Sequence, residues 1–422
     1  MKRLMIGVVM FLGLLAPAPA QYAGWQHSGS IFLITTPEGA NLPATASEEN
    51  FPLLVRLNKD SFNFSQAKAG GDDIRFSAEG KALVYQIEDW DAVAGTASIW
   101  VRIPNIKGNA RQEIKIYWGK ADAASESKGD AVFNDSNGYV SVLHMSDPVK
   151  DEVGSVQPKD TGTAASVGII GKSRRFDVGK GINCGEKLTT LPTGSNPHST
   201  EVWIKPEKSN VNPIAWGNEQ AQGKVVMGFA SPPHIRMDCY FSGGNVASSG
   251  LLPLKQWIHV VHTYKEGESR IYVNGVLDGE NAAKGSPLNI RTPARMYIGG
   301  WYGWGNGVLF EGDIDEARLS KVTRSADWVK LEYENQKSRQ TLVGSLVQPG
   351  SDFSVSEKKI TVLEGKSATV TAKAGGAQKV YWILKKDGLE TIMDVDKFSL
   401  TVDAGRVTGD QSLTLQFKAV FA

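Results

Sequence analysis

Two neighbouring runs, Trp257-Ile258-His259-Val260-Val261-His262-Thr263-Tyr264 and Ser269-Arg270-Ile271-Tyr272-Val273-Asn274-Gly275, are rich in β-branched and aromatic residues and end on an Asn-Gly pair. A two-residue hairpin turn needs φ > 0 at both central positions, which Asn and Gly tolerate, and Ile271 and Val273 alternate ahead of it. The chain is therefore expected to fold back on itself as antiparallel strands. In a strand, residues three apart point to opposite faces, so His259 and His262 do not make a ligand pair. Together with His144, His198 and His234 they read as structural histidines.

Outward from this hairpin the same texture repeats at close spacing. Residues 138–144, 171–176, 199–205 (STEVWIK), 295–300 (RMYIGG) and 311–319 (EGDIDEARL) all read as strands, placing a sandwich over about 136–346. Upstream, residues 53–57, 73–76, 83–87, 98–103 and 113–118 are strand-like, with Gly70-Gly71, Gly80 and Gly108-Asn109 as turns, defining a sandwich within 21–135. Downstream, 359–363, 368–372, 380–384 and 413–417 suggest an immunoglobulin-like sandwich over 352–422, with Trp382 inside it. Ala422 follows directly on a strand, so either that sheet has an unpaired edge or the chain is a fragment. One helix is expected over 325–337, capped by Ser325, with Trp328, Leu331 and Asn335 on one face. The fold class is all-β, with tandem antiparallel β-sandwiches.

Composition agrees. The 422 residues include 45 Gly and 11 Trp, which suits tight turns and half-buried aromatic faces. The net charge of +1 gives no single-signed field for nucleic acid or an anionic membrane. Lys2 and Arg3, an apolar run over 4–15 and Ala18-Pro19-Ala20 read as a signal peptide spanning 1–20, cleaved near Gln21. That run is shorter than the roughly 20 residues of a membrane span, so the expectation is export to the periplasm, cell surface or exterior without one. Cys184 and Cys239 are either one disulfide or two buried thiols.

The tryptophan strand, the hairpin ending in Tyr272-Val273-Asn274-Gly275 and the Ile314-Asp315-Glu316-Ala317-Arg318 strand, in this order, resemble the concanavalin A-like, laminin-G-type jelly roll. Asp72-Asp73-Ile74-Arg75-Phe76, Ile99-Trp100-Val101-Arg102-Ile103-Pro104 and Ile116-Tyr117-Trp118-Gly119 resemble a bacterial domain of unknown function that often precedes such modules. The resemblance implies a calcium ion at a sheet rim, with Asp315 the first candidate ligand and Asp151 the second. The alternative for Asp315 is a carboxylate bonded to Arg318 or to the backbone amides of a loop.

Tyr297, Trp301, Tyr302 and Trp304 crowd a glycine-rich segment, where flat rings can stack on a sugar or receive a protein side chain. Trp301, Tyr302 and Trp304 are the candidate ligand-binding residues, the alternative being aromatics that only cover a sheet edge. Glu311-Gly312-Asp313-Ile314-Asp315-Glu316 has the Glu-x-Asp-x-x-Glu spacing of jelly-roll glycosidases. Glu311 and Glu316 could serve hydrolysis only if a bulge turned Glu316 to the face of Asp313. No nucleophile elbow, phosphate loop or Cys-x-x-Cys occurs, and the favoured reading is a non-catalytic protein that binds a glycan or an extracellular protein.

Overall fold

A computed structural model describes residues 22–239, 244–282, 287–301, 309–348, 354–357, 359–374, 377, 379–386, 389–406 and 411–420. The expected leader at 1–20 lies outside the described residues, as do Tyr302 and Trp304. Among the described residues the elements are antiparallel strands with a single helix longer than one turn, Ala326–Gln336, and no helix is long and apolar enough to cross a membrane.

The N-terminal sandwich packs two sheets. One orders His27–Ile34, Arg111–Trp118, Arg75–Ala78 and Lys81–Leu83, and the other Ser47–Asn58, Thr96–Lys107 and Tyr85–Asp91. Alternate residues such as Leu53, Val55, Ile99, Val101, Phe76 and Ile116 fill the space between them. The buried Asp73 carboxylate accepts from the amides of Lys68, Gly119 and Lys120, so the Asp72-Asp73 block anchors two loops.

The sandwich is completed from far along the chain. Residues 342–347 lie along the outer edge of His27–Ile34, with Gly344 N–H donating to Phe32 at 2.8 Å and Val347 N–H to Ser30 at 2.9 Å. This pairing closes an edge that would otherwise be open. The helix precedes this segment. Ser325 Oγ accepts from Trp328 N–H, and Trp328 and Leu331 enter the N-terminal core, with Trp328 set edge-on to Phe51 at 4.9 Å. Asn335 bonds both the N–H and the C=O of Leu54, and Arg56 donates to the carbonyls of Asn335 and Gln336 at the helix C-terminus.

The central domain is a jelly roll of two large sheets. One orders Ala164–Val167, Lys172–Phe176, Gly312–Ser320, His198–Pro206, Ile258–Lys265, Glu268–Val273 and Val276–Asn281, with Tyr139–Leu143 also pairing Gly312–Ser320. The other orders Val246–Ala247, Ile235–Asp238, Lys224–Phe229, Val211–Gly217, Ala294–Ile298, Ile182–Leu188 and Lys159–Asp160. The hairpin forms as its sequence dictates: Val273 faces Val276, and Asn274 and Gly275 have φ of 50° and 78°. Trp216, Met227, Ile258, Val260 and Ile298 fill the core. Cys184 and Cys239 are both buried and are not joined in a disulfide.

The C-terminal region has two three-stranded sheets, Ser354–Val355, Ser367–Lys373 and Ser399–Asp403 in one and Leu389–Val395, Lys379–Lys386 and Thr414–Val420 in the other. Trp382 and Phe417 meet between them at 4.8 Å. The run expected as a strand at 359–363 is not in a strand among the described residues, though Ile360 packs against the C-terminal core. Ser399–Asp403 pairs with Ser367–Lys373.

Candidate functional site

The Gly312–Ser320 strand lies against both His198–Pro206 and Lys172–Phe176. Its register against His198–Pro206 shifts between the pairs Trp203/Asp315 and Glu201/Arg318, and Glu316 has φ of 49° at the shift. A glutamate in the left-handed region costs on the order of 1 kcal/mol, so its surroundings must hold it there. They do so through charge. Glu316 Oε1 lies 2.7 Å from His144 Nδ1, and its other oxygen accepts from Arg318.

The N-terminal sandwich supplies the other wall. Trp100 stacks on the His144 ring at 5.6 Å and 14°, and Arg318 sits over the same indole at 4.5 Å. The Trp100 indole N–H donates to Glu88 Oε2 at 2.6 Å, and that oxygen is 3.7 Å from His144 Nδ1. His144 Nε2 lies 3.3 Å from Gln86 Oε1. Beyond Arg318 the buried network continues. Its guanidinium is 3.9 Å from Glu201 and 3.8 Å from Glu332, and Glu201 is 3.0 Å from His259 Nε2. Trp203 N–H donates to Gln336, which donates to Glu201, tying the helix into the same network.

The buried carboxyls separate by environment, according to whether burial or a neighbouring cation dominates. Burial raises Glu88 well above the usual carboxylate range, reinforced by Glu316 and Asp315. Asp315 is raised by burial and then by Glu316, and Glu332 by burial and then by Glu201. Burial pushes Glu316 upward too, but His144 and Arg318 together outweigh it and hold the carboxyl below its ordinary value. A cleft of about 600 Å³ opens between the two domains onto Gln86, Glu88 and His144, with Lys128, Asp130, Lys150 and Glu152 on its walls.

The candidates named from sequence fall in different places. Asp315 is buried, with Oδ2 accepting from the amides of Ile169 at 2.9 Å and Ile170 at 3.1 Å and Oδ1 from Glu316 N–H. Asp151 accepts from the amides of Val142, Val153 and Val156 and from Ser141 Oγ. Both carboxylates hold loops through N–H groups, which point positive ends where calcium would have to sit, so these two residues do not fit that ion as arranged. Trp301 is 3 % exposed on the outer face of the seven-stranded sheet, in a small apolar cluster with Ala215, Val226 and Tyr297. Its indole N–H donates to Glu219, and Lys224 Nζ lies 4.9 Å from the ring centre. The bulge that a hydrolytic reading of Glu316 requires is present, yet it turns the carboxylate inward. Glu311 pairs with Lys208, Asp313 lies 3.6 Å from Arg175 and from Lys205, and Glu316 belongs to His144 and Arg318. His259 and His262 face opposite ways, His259 to Glu201 and His262 to Ser269 beside His198.

Sequence reasoning placed Glu88, Glu201 and Glu332 in no site and took His144 as structural. Glu88 and His144 meet only through docking of separate domains, so no local spacing marks them.

Residues 180–330 match the family described as the concanavalin A-like lectin/glucanases superfamily, and residues 70–139 match a domain of unknown function, DUF2341. No curated relative matches the chain. Among solved structures, domain 4 of AbnA, an extracellular arabinanase from Geobacillus stearothermophilus in complex with arabinotriose, is 18 % identical with a TM-score of 0.39, over 46 % of this chain and 97 % of that one. The heptameric SAP-like pentraxin from Limulus polyphemus is 17 % identical with a TM-score of 0.31, over 37 % and 81 %.

Proposed function

We propose that this is an exported, non-catalytic carbohydrate-binding protein whose concanavalin A-like domain takes its ligand on the outer face of the seven-stranded sheet, around Tyr297 and Trp301. The observation that carries the reading is the concanavalin A-like match of residues 180–330. Tyr297 and Trp301 lie 5.9 Å apart on a face otherwise rimmed by polar groups, with Glu186 on the Tyr297 hydroxyl and Glu219 on the Trp301 indole. Both rings are nearly covered, Tyr297 8 % and Trp301 3 % exposed, so they brace the rim whose polar groups would meet the hydroxyls of a sugar. Hydrolysis finds less support, because Glu311 and Asp313 lie against cations and Glu316 against His144. Lys2, Arg3 and the apolar run over 4–15 support export.

A glycan array followed by calorimetric titration tests the reading. Binding without release of reducing ends is expected. Trp301→Ala should weaken it by about 2 kcal/mol, the scale of a binding hot spot, and Glu311→Gln should leave it unchanged. Release of reducing ends that Glu311→Gln abolishes would establish the hydrolase instead.

A further inference from the structure

We propose that Glu88, His144 and Glu316 form a binding site for a divalent transition-metal ion of the zinc class, seated at the floor of the cleft between the N-terminal sandwich and the jelly roll. One ligand atom from each of Glu88, His144 and Glu316 lies within 4.8 Å of the others, so one ion can reach all three. An imidazole nitrogen with two carboxylate oxygens is a set that zinc accepts and that calcium, an oxygen-seeking cation, does not favour.

A second observation comes from how each ligand is held. Gln86 Oε1 lies 3.3 Å from His144 Nε2, Arg318 takes the Glu316 oxygen remote from the site, and Trp100 N–H steers Glu88. His144 Nδ1 lies 2.7 Å from Glu316 Oε1 and 3.7 Å from Glu88 Oε2, so a cation that takes the place of the proton shared with Glu316 meets all three side chains. Such outer partners are what fixes a ligating histidine. The cleft reaches Glu88 and His144, which gives the ion an entry path and leaves a fourth position for water. The second group, Glu201, His259 and Glu332, has the same spacing but is buried on every side. Because Glu88 comes from one domain and the other two ligands from its neighbour, the ion would clamp the domains together.

The test uses the full chain freed of metal by chelation. Calorimetric titration with Zn²⁺ should show one saturable ion per chain, and Co²⁺ should give the visible absorption of a low-symmetry site containing nitrogen. Glu88→Gln, which keeps an oxygen for Trp100, and His144→Gln should each weaken uptake at least about tenfold, since loss of even an outer-shell partner does that much. Circular dichroism verifies that each variant is folded, and if one is not, the Co²⁺ spectrum of the unaltered chain decides. No saturable uptake, uptake that neither folded variant weakens, or a spectrum of hydrated cobalt overturns the site. The sugar reading is independent, since Trp301→Ala should leave zinc uptake intact.

Discussion

Asp315 occupies the interior with its carboxylate turned to the turn at 169–170, and three backbone N–H groups converge on it. Removing the carboxylate leaves those amides buried without an acceptor, each worth about 1 to 3 kcal/mol at most. Asp315→Ala should therefore lower the melting temperature by several degrees or more, consistent with about 3 kcal/mol, one for each amide at the low end of that range. A scanning calorimeter run with Ca²⁺ and with EDTA should record the same drop in both. A drop confined to calcium-containing buffer would restore the metal role that resemblance implied. Glu316, one position on, shows the complementary economy: its left-handed φ is held by His144 on one oxygen and Arg318 on the other.

At the level of elements, the hairpin closed by Asn274 and Gly275 does more than turn the chain. Gly275 has φ of 78°, and a Cβ there would come within 2.9 Å of Tyr333 on the helix. The turn thus seats the helix that carries Trp328 and Asn335. Gly275→Ala combines backbone strain with that close approach and should destabilise by about 1 to 3 kcal/mol, measured by urea unfolding. A stability unchanged within error would mean that the helix can shift without loss. The helix end is similarly shared, since Arg56 of the N-terminal sandwich donates to its last carbonyls.

For the whole molecule, the notable feature is that the N-terminal core is built from two distant parts of the chain. Trp328, Leu331, Leu342 and Leu346 belong to the same apolar cluster as Leu53, Trp100 and Trp118. The two domains should accordingly unfold as one cooperative unit. Trp328→Ala, a truncation costing about 3 to 5 kcal/mol, should expose residues 22–139 to limited proteolysis as well as lowering the stability of the jelly roll. Proteolysis confined to the jelly roll would show that the sandwich stands alone.

Local pattern sufficed for much of this. Alternation along 257–264 and 269–275, the Asn-Gly turn and the Ser325 cap are short-range signals, so the all-β class and the helix could be read from them, while the jelly roll followed from the resemblance of its ordered motifs to a known fold. The run at 359–363 shows the limit, because alternation alone cannot supply a partner strand. The placement of Asp315 was likewise open between a metal and a loop, since a carboxylate's partners are chosen by whichever amides the fold brings up. The Glu88, His144 and Glu316 cluster was beyond reach altogether. Those residues lie 56 and 172 positions apart in sequence, and only docking of one sandwich on the other sets them side by side. Sequence determined which segments are strands and which faces are apolar, because backbone propensity and hydrophobic period are local. Tertiary structure alone decided which buried charges meet, because that depends on how separately specified elements pack.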